Sequence, residues 1–222
     1  MNLFESLAKG GPMMIFIGIC SVVTLAVTLE RWIRLQDNKI LPSELRDRIL
    51  DLLRTRRYSE AMSECEGRDE VGIEIIRSGM ENAGASRDIL REHFENAGRQ
   101  ANQNLNRWLG TLATVASISP LLGLMGTVLG MIRVFRVISV QGVGDPGALS
   151  GGISEALLTT AAGLAVGIPS LIIYNYFTQR VERANYRLEQ FAADVLNLLD
   201  RDGPLDSHPG DNQYMDEPPA DY

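Results

Sequence analysis

Gly152-Ile153-Ser154-Glu155-Ala156-Leu157-Leu158-Thr159-Thr160-Ala161-Ala162-Gly163-Leu164-Ala165-Val166-Gly167-Ile168-Pro169 is the stretch from which the rest of the chain can be read. From Ala156 to Phe177 there is no charged residue, and roughly 20 such residues cross a hydrocarbon core as a helix. A soluble amphipathic helix would carry a polar stripe; here only Thr159, Thr160 and Ser170 precede Asn175. Small residues recur four apart at Ala161/Ala165 and Gly163/Gly167, the spacing that lets helix backbones approach closely in lipid. Glu155 stands at the entrance, about 7.5 Å along the axis from Thr160 at a rise of 1.5 Å per residue. A carboxylate followed by hydroxyls is costly in lipid unless it faces protein or water, so the segment points to an ion path.

Two further spans lie upstream. Met13 to Leu29 is uncharged and, with Pro12 and Trp32 as flanks, makes a first span over 13–32, closed by Glu30 and Arg31. A second covers 108–140, dotted with Thr111, Thr114, Ser117, Ser119 and Thr127, bent at Pro120, and given a close-packing face by Gly123, Gly126 and Gly130. Arg133 and Arg136 close it at a membrane surface, where long basic side chains reach headgroups. Residues 141–154 read as a Gly/Pro/Asp loop between antiparallel spans, and 155–178 as the third span. Residues 1–12 suit a short interfacial helix with Leu3, Phe4 and Leu7 on one face.

Between the spans, 33–107 mixes charges of both signs with apolar residues at helical spacing, including Leu45, Ile49, Leu52 and Leu53. It reads as helices outside the bilayer, starting at Pro42-Ser43-Glu44 and broken at Gly67 and Gly72, with 86–107 running straight into the second span. Residues 179–202 form an amphipathic helix with Leu188, Phe191, Val195, Leu196 and Leu199 as its stripe, and 203–222 is Pro-rich, acidic and expected to be disordered. Arginines crowd 31–48, 91–107 and 180–201, while the opposite side has Lys9, Arg133 and Arg136. The positive-inside rule therefore places 33–107 and the carboxy terminus in the cytoplasm and the amino terminus outside.

The net charge of -7 owes much to the last twenty residues, which hold five acids and no Lys or Arg. It argues against nucleic acid as a partner. Cys20 and Cys65 are too few for a disulfide framework, and the start of the chain fits a cleaved signal peptide poorly. No phosphate loop, paired histidines or nucleophile set appears, which argues against an enzyme and against any cofactor. What remains is a polar track of Thr127, Glu155, Thr159 and Thr160, whose hydroxyls can replace part of an ion's hydration shell or relay protons. Glu155 lies near a span end, so a full relay needs a titratable group from another subunit. Two plainer accounts compete: a non-conducting membrane scaffold, and a Glu155 favoured only by the positive end of its helix.

Three stretches resemble the TolQ/ExbB/MotA family of ion-driven membrane motor subunits. They are Leu29-Glu30-Arg31, the segment PLLGLMGTVLG from Pro120 to Gly130, and GISEALLTTAAGL from Gly152 to Leu164 with Ile168-Pro169 and Tyr174-Asn175. Three spans and modest length resemble the TolQ/ExbB type most. The resemblance implies an all-α membrane protein with long cytoplasmic helical extensions, forming a homopentameric ring in the bacterial inner membrane. It further implies two copies of a single-span TolR/ExbD-like partner at the ring's centre, whose membrane Asp takes up and releases the ion, and a TonB- or TolA-like protein beyond. Thr127 and Thr160 match the family's pore-lining threonines, and Glu155 its third-span Glu. Proton-type members usually have Ala where Thr159 stands. The Thr159-Thr160 pair resembles the sodium-using pattern, so the transported ion is H+ or Na+, with a transient sodium at Thr127, Thr159 and Thr160.

Overall fold

The computed structural model describes residues 11–68, 70–82, 85–142 and 146–200. The interfacial segment expected at 1–12, apart from Gly11 and Pro12, and the acidic tail at 203–222 lie outside the described residues. Among the described residues the chain is all α-helical. Its helices are α1 (Met13–Arg34), α2 (Asp37–Ile40), α3 (Ser43–Arg54), α4 (Tyr58–Cys65), α5 (Val71–Met80), α6 (Arg87–Asn106), α7 (Leu109–Gln141) and α8 (Pro146–Asp200). Three of these regions are long and apolar enough to cross a membrane: α1, the stretch containing α7, and α8.

The chain divides into two units. The first takes the chain up to Leu35 and Asn106–Glu182, and so contains α1, α7 and most of α8. Many of its large apolar side chains face outward: Ile15 and Val22 are each 68% exposed and Leu121 is 61% exposed. Such a surface is a liability in water and is what hydrocarbon requires. Inside, beside buried Ile17, Leu112 and Phe177, glycines line the contact between α7 and α8. A Cβ at Gly163 would lie 2.5 Å from Ser119 O, one at Gly130 2.8 Å from Ala156 Cβ, and one at Gly167 2.7 Å from Pro120 Cγ. These contacts descend along α7 as they rise along α8, so the two helices run antiparallel with their backbones nearly touching.

The boundaries differ from the sequence reading in three places. Residues 146–154, expected in the loop, belong to α8. Pro146 suits a first helical turn, where its missing N–H is no loss, and Gly152 turns toward Val134, 2.5 Å from where its Cβ would lie. The loop cue misleads because Gly152 serves helix packing, while Gly151 stands on an open face of the same helix. Second, α6 does not run straight into the span: Trp108 adopts φ +66, and α7 starts afresh at Leu109. Third, Gly72 lies inside α5, where a Cβ would meet Leu41 Cδ1 at 2.7 Å. Gly67, with φ +70, does sit at a break, in the turn after α4.

The second unit takes Gln36–Leu105 and the chain from Arg183 onward. It is built in the ordinary sense, with Ile49, Leu53, Ile73, Ile76, Phe191 and Val195 buried. Gly79 lets the Phe94 ring lie flat on α5. Arg187 donates to Leu41 O at 3.3 Å, and Arg87 pairs with Asp200 at 2.5 Å, tying the end of α8 into this unit. Cys65 is buried among these helices, and that burial pushes its thiol pKa up, against the pull of nearby Arg77 and Arg68.

Candidate functional site at the glycine seam

The α7–α8 seam is defined by Gly123, Gly126 and Gly130 against Ala156, Thr159, Gly163 and Gly167. At about 100° per residue, residues to either side of these lines fall on two different flanks. Thr160 and Glu155 lie about 140° apart around α8, with the seam between them. Thr127 and Arg133 lie about 120° apart around α7, again astride the seam. Because the helices are antiparallel, Thr127 and Thr160 share one flank, and Arg133 and Glu155 share the other.

The hydroxyl flank is open in the single chain. Thr160 Oγ1 donates to Gly123 O at 3.0 Å, bridging the two helices, and Thr127 Oγ1 donates to Leu124 O at 2.6 Å. Both threonines are half-buried. Leu124, Val128, Leu157 and Leu164 beside them are exposed. Each hydroxyl, with its proton donated to a carbonyl, keeps lone pairs that can accept a hydrogen bond from an incoming group.

Thr159 stands elsewhere. Only 1% exposed, it packs against Gly126 and donates back to its own helix, to Ala156 O at 2.8 Å. A hydroxyl enclosed in this way fills space between helices rather than lining a path.

The opposite flank belongs to α1. Thr24 Oγ1 and Ser170 Oγ are 2.8 Å apart, and Trp32 stacks on Tyr176 with ring centroids 6.3 Å apart. At the far end, the turn at Gly11, with φ +67, leaves its glycine against Glu155 Oε1, where a Cβ has no room. Arg133, expected from its place at the end of the span to reach headgroups, instead donates to both carboxylate oxygens of Glu155, at 2.7 and 2.6 Å. Because α8 begins at Pro146, Glu155 lies more than two turns inside it; the helix terminus therefore does not account for its charge, and the arginine does. The structure thus puts Thr127 and Thr160 on one flank, encloses Thr159 and turns Glu155 to the other flank.

Some polar residues emerge only from the packing. Ser119 is fully buried in the seam, and its Oγ has no hydrogen-bond partner among the described residues. Arg31 is 2% exposed and donates to Glu30 at 2.6 Å. The sequence marks both as polar residues in or beside apolar runs, but not as buried ones. Among the described residues no group of three or more His, Cys, Asp or Glu could hold a metal ion.

A family model for the MotA/TolQ/ExbB proton channel family matches residues 68–190, which takes in the whole seam. The chain belongs to this family. It is a membrane protein, and among its relatives is a biopolymer transport protein ExbB of Pseudomonas putida, 27% identical over 198 residues, covering 85% of this chain and 59% of the relative. The ExbB of Aquifex aeolicus is 38% identical over 103 residues, 46% of this chain and 69% of that protein. A Tol-Pal system protein TolQ from Pseudomonas aeruginosa is 36% identical over 142 residues, 59% of this chain and 62% of the relative. The chain thus spans about three-fifths of the length of the two Pseudomonas members of the family.

Proposed function

We propose that this chain is the ion-conducting subunit of a TolQ/ExbB-like motor, passing protons along the Thr127/Thr160 flank of the α7–α8 seam. The observation that carries the proposal is the division of the seam. One flank is filled by α1, while the other shows two hydroxyls at the point where glycines bring the helices together. Membership in a proton channel family supports the same ion. Among the described residues the open flank holds no acid at the level of Thr160, so the titrating group comes from a partner helix. A TolR/ExbD-like single-span subunit, two copies within a homopentamer, supplies it. Ion passage then moves the ring against that pair, and the partner carries force toward a TonB- or TolA-like protein for envelope transport. A potential of 100 mV supplies about 2.3 kcal/mol per unit charge, enough for a few ions to drive a large displacement.

In this reading the protein sits in the bacterial inner membrane, with the Arg-rich second unit and the carboxy terminus in the cytoplasm and the amino terminus in the periplasm. Sodium is the less favoured ion because Thr159, which would supply the extra oxygen, is enclosed against Gly126. The test is Thr160→Ala, with Thr159→Ala beside it, in the complex isolated from its own membrane and reconstituted into vesicles. Thr160→Ala should assemble normally and lose most proton flux. Thr159→Ala should leave the sodium dependence where it was. Full flux in Thr160→Ala would take the hydroxyl flank out of the path and leave the chain a scaffold around a route carried by other subunits.

A further inference from the structure

Glu155 is a carboxylate on an apolar helix that the hydroxyl flank does not use. Both of its oxygens accept from Arg133 across the seam, at 2.6 and 2.7 Å, and its side chain is only 18% exposed against 50% for Arg133. One side of the acid is closed by the turn at Gly11, where any added carbon would collide with Oε1. The charge partner therefore comes from α7, the wall comes from the start of α1, and the acid itself comes from α8.

We infer that Arg133 is a positioning residue whose task is to hold Glu155 on the α1 flank with both oxygens occupied, so that this acid cannot serve as a ligand for a metal cation. Hard cations such as sodium and calcium are bound by carboxylate, carbonyl and hydroxyl oxygens. The seam contains all three kinds: Glu155, the carbonyl of Gly123, and the hydroxyls of Thr127 and Thr160. What keeps them from acting as one cation site is that Arg133 draws the end of the Glu155 side chain away from the hydroxyls, on a helix position about 140° around α8 from Thr160, with one guanidinium nitrogen engaging both oxygens. A single guanidinium nitrogen, Nη1, straddles the two oxygens, a contact that the ammonium of a lysine can also make. The ion-selectivity part of this inference rests on the proposed conducting role, whereas the clamp itself does not.

The two parts are measured separately. Labelling of Glu155 by a hydrophobic carbodiimide, located by mass spectrometry on the intact complex, reads whether the carboxyl is free. Arg133→Gln should be labelled about tenfold faster than the parent, the ratio that about 1.4 kcal/mol of lost pairing gives. Arg133→Lys should stay close to the parent, and Glu155→Gln should show no label at that site. Equal rates in the parent and Arg133→Gln overturn the inference whatever the vesicles do. In vesicles, proton flux through Arg133→Gln should fall severalfold when sodium chloride replaces potassium chloride, or when calcium chloride is added. The double variant Arg133→Gln with Glu155→Gln should lose that sensitivity. Flux through Arg133→Gln that ignores both salts also overturns the inference, with the conducting role still standing. Absence of proton flux in the parent defeats the conducting role, and the labelling rates still decide the clamp.

Discussion

The first unit and the second solve the same packing problem in opposite ways. In the second, Ile49 and Val195 are fully buried while Arg46 and Arg48 lie outside. In the first, Leu121 and Phe135 lie outside while Gly123 and Ser119 are buried. Water rewards hiding large apolar groups; hydrocarbon offers no such reward, and close contact between small residues holds helices together there. Glycine shows the contrast within one residue type. Gly79 makes room for a single aromatic ring in a conventional core, whereas Gly163 and Gly123 let two backbones meet.

The contrast can be broken most severely at the seam. Gly163→Leu places a branched side chain where even a Cβ would be 2.5 Å from Ser119 O, a clash with backbone that no rotamer relieves and that exceeds the ~1–3 kcal/mol of ordinary overpacking. The expected result is loss of most folded protein in detergent extracts, read by size-exclusion chromatography. Ile49→Ala probes the other unit, where Ile49 is 0% exposed and truncation of a buried aliphatic costs about 2–5 kcal/mol. Its effect should appear as a lower melting temperature of the full chain. A comparably small effect for Gly163→Leu would mean that the helices are held apart by something other than their backbones.

Smaller effects sharpen the comparison. Ser170→Ala removes the hydrogen bond to Thr24, and side-chain bonds between membrane helices average about 0.6 kcal/mol, so a shift of only a few degrees in melting is expected. Cys65 provides the last test. It is buried and its thiol pKa is raised by that burial, so native protein at neutral pH should react with iodoacetamide far more slowly than denatured protein. Labelling at the same rate in both states would show that the second unit opens freely around α4.

Much of this was legible in the sequence for a simple reason: membrane spans advertise themselves by composition. Charge-free runs, their arginine flanks and the glycine spacing need no knowledge of what lies beside them. The helical segments of 33–107 were visible from periodicity, but Trp108 carries no cue, because nothing in its side chain favours a left-handed backbone. Residues 146–154 mislead because Pro146 fits a first helical turn as well as a loop, and Gly152 packs against Val134 rather than making a turn. The polar track was harder still. Thr127, Glu155, Thr159 and Thr160 lie close together in sequence pattern. Whether two of them share a flank depends on which way the neighbouring helix runs and where α1 lies. Arg133 meets Glu155 across 22 residues of sequence, and no local rule predicts that pairing.

Pro120 lies inside α7 and Pro169 inside α8, and Gly167 brings α8 against the first of them. A proline donates no backbone hydrogen bond, so the carbonyls of Ala116 and Ala165 each lack the rung that an unbroken helix would supply. Both helices therefore have a weak joint near the same depth, one that can flex without breaking a bond. The joint coincides with the close contact of Gly167 and Pro120, so a bend in one helix is felt by the other where they meet.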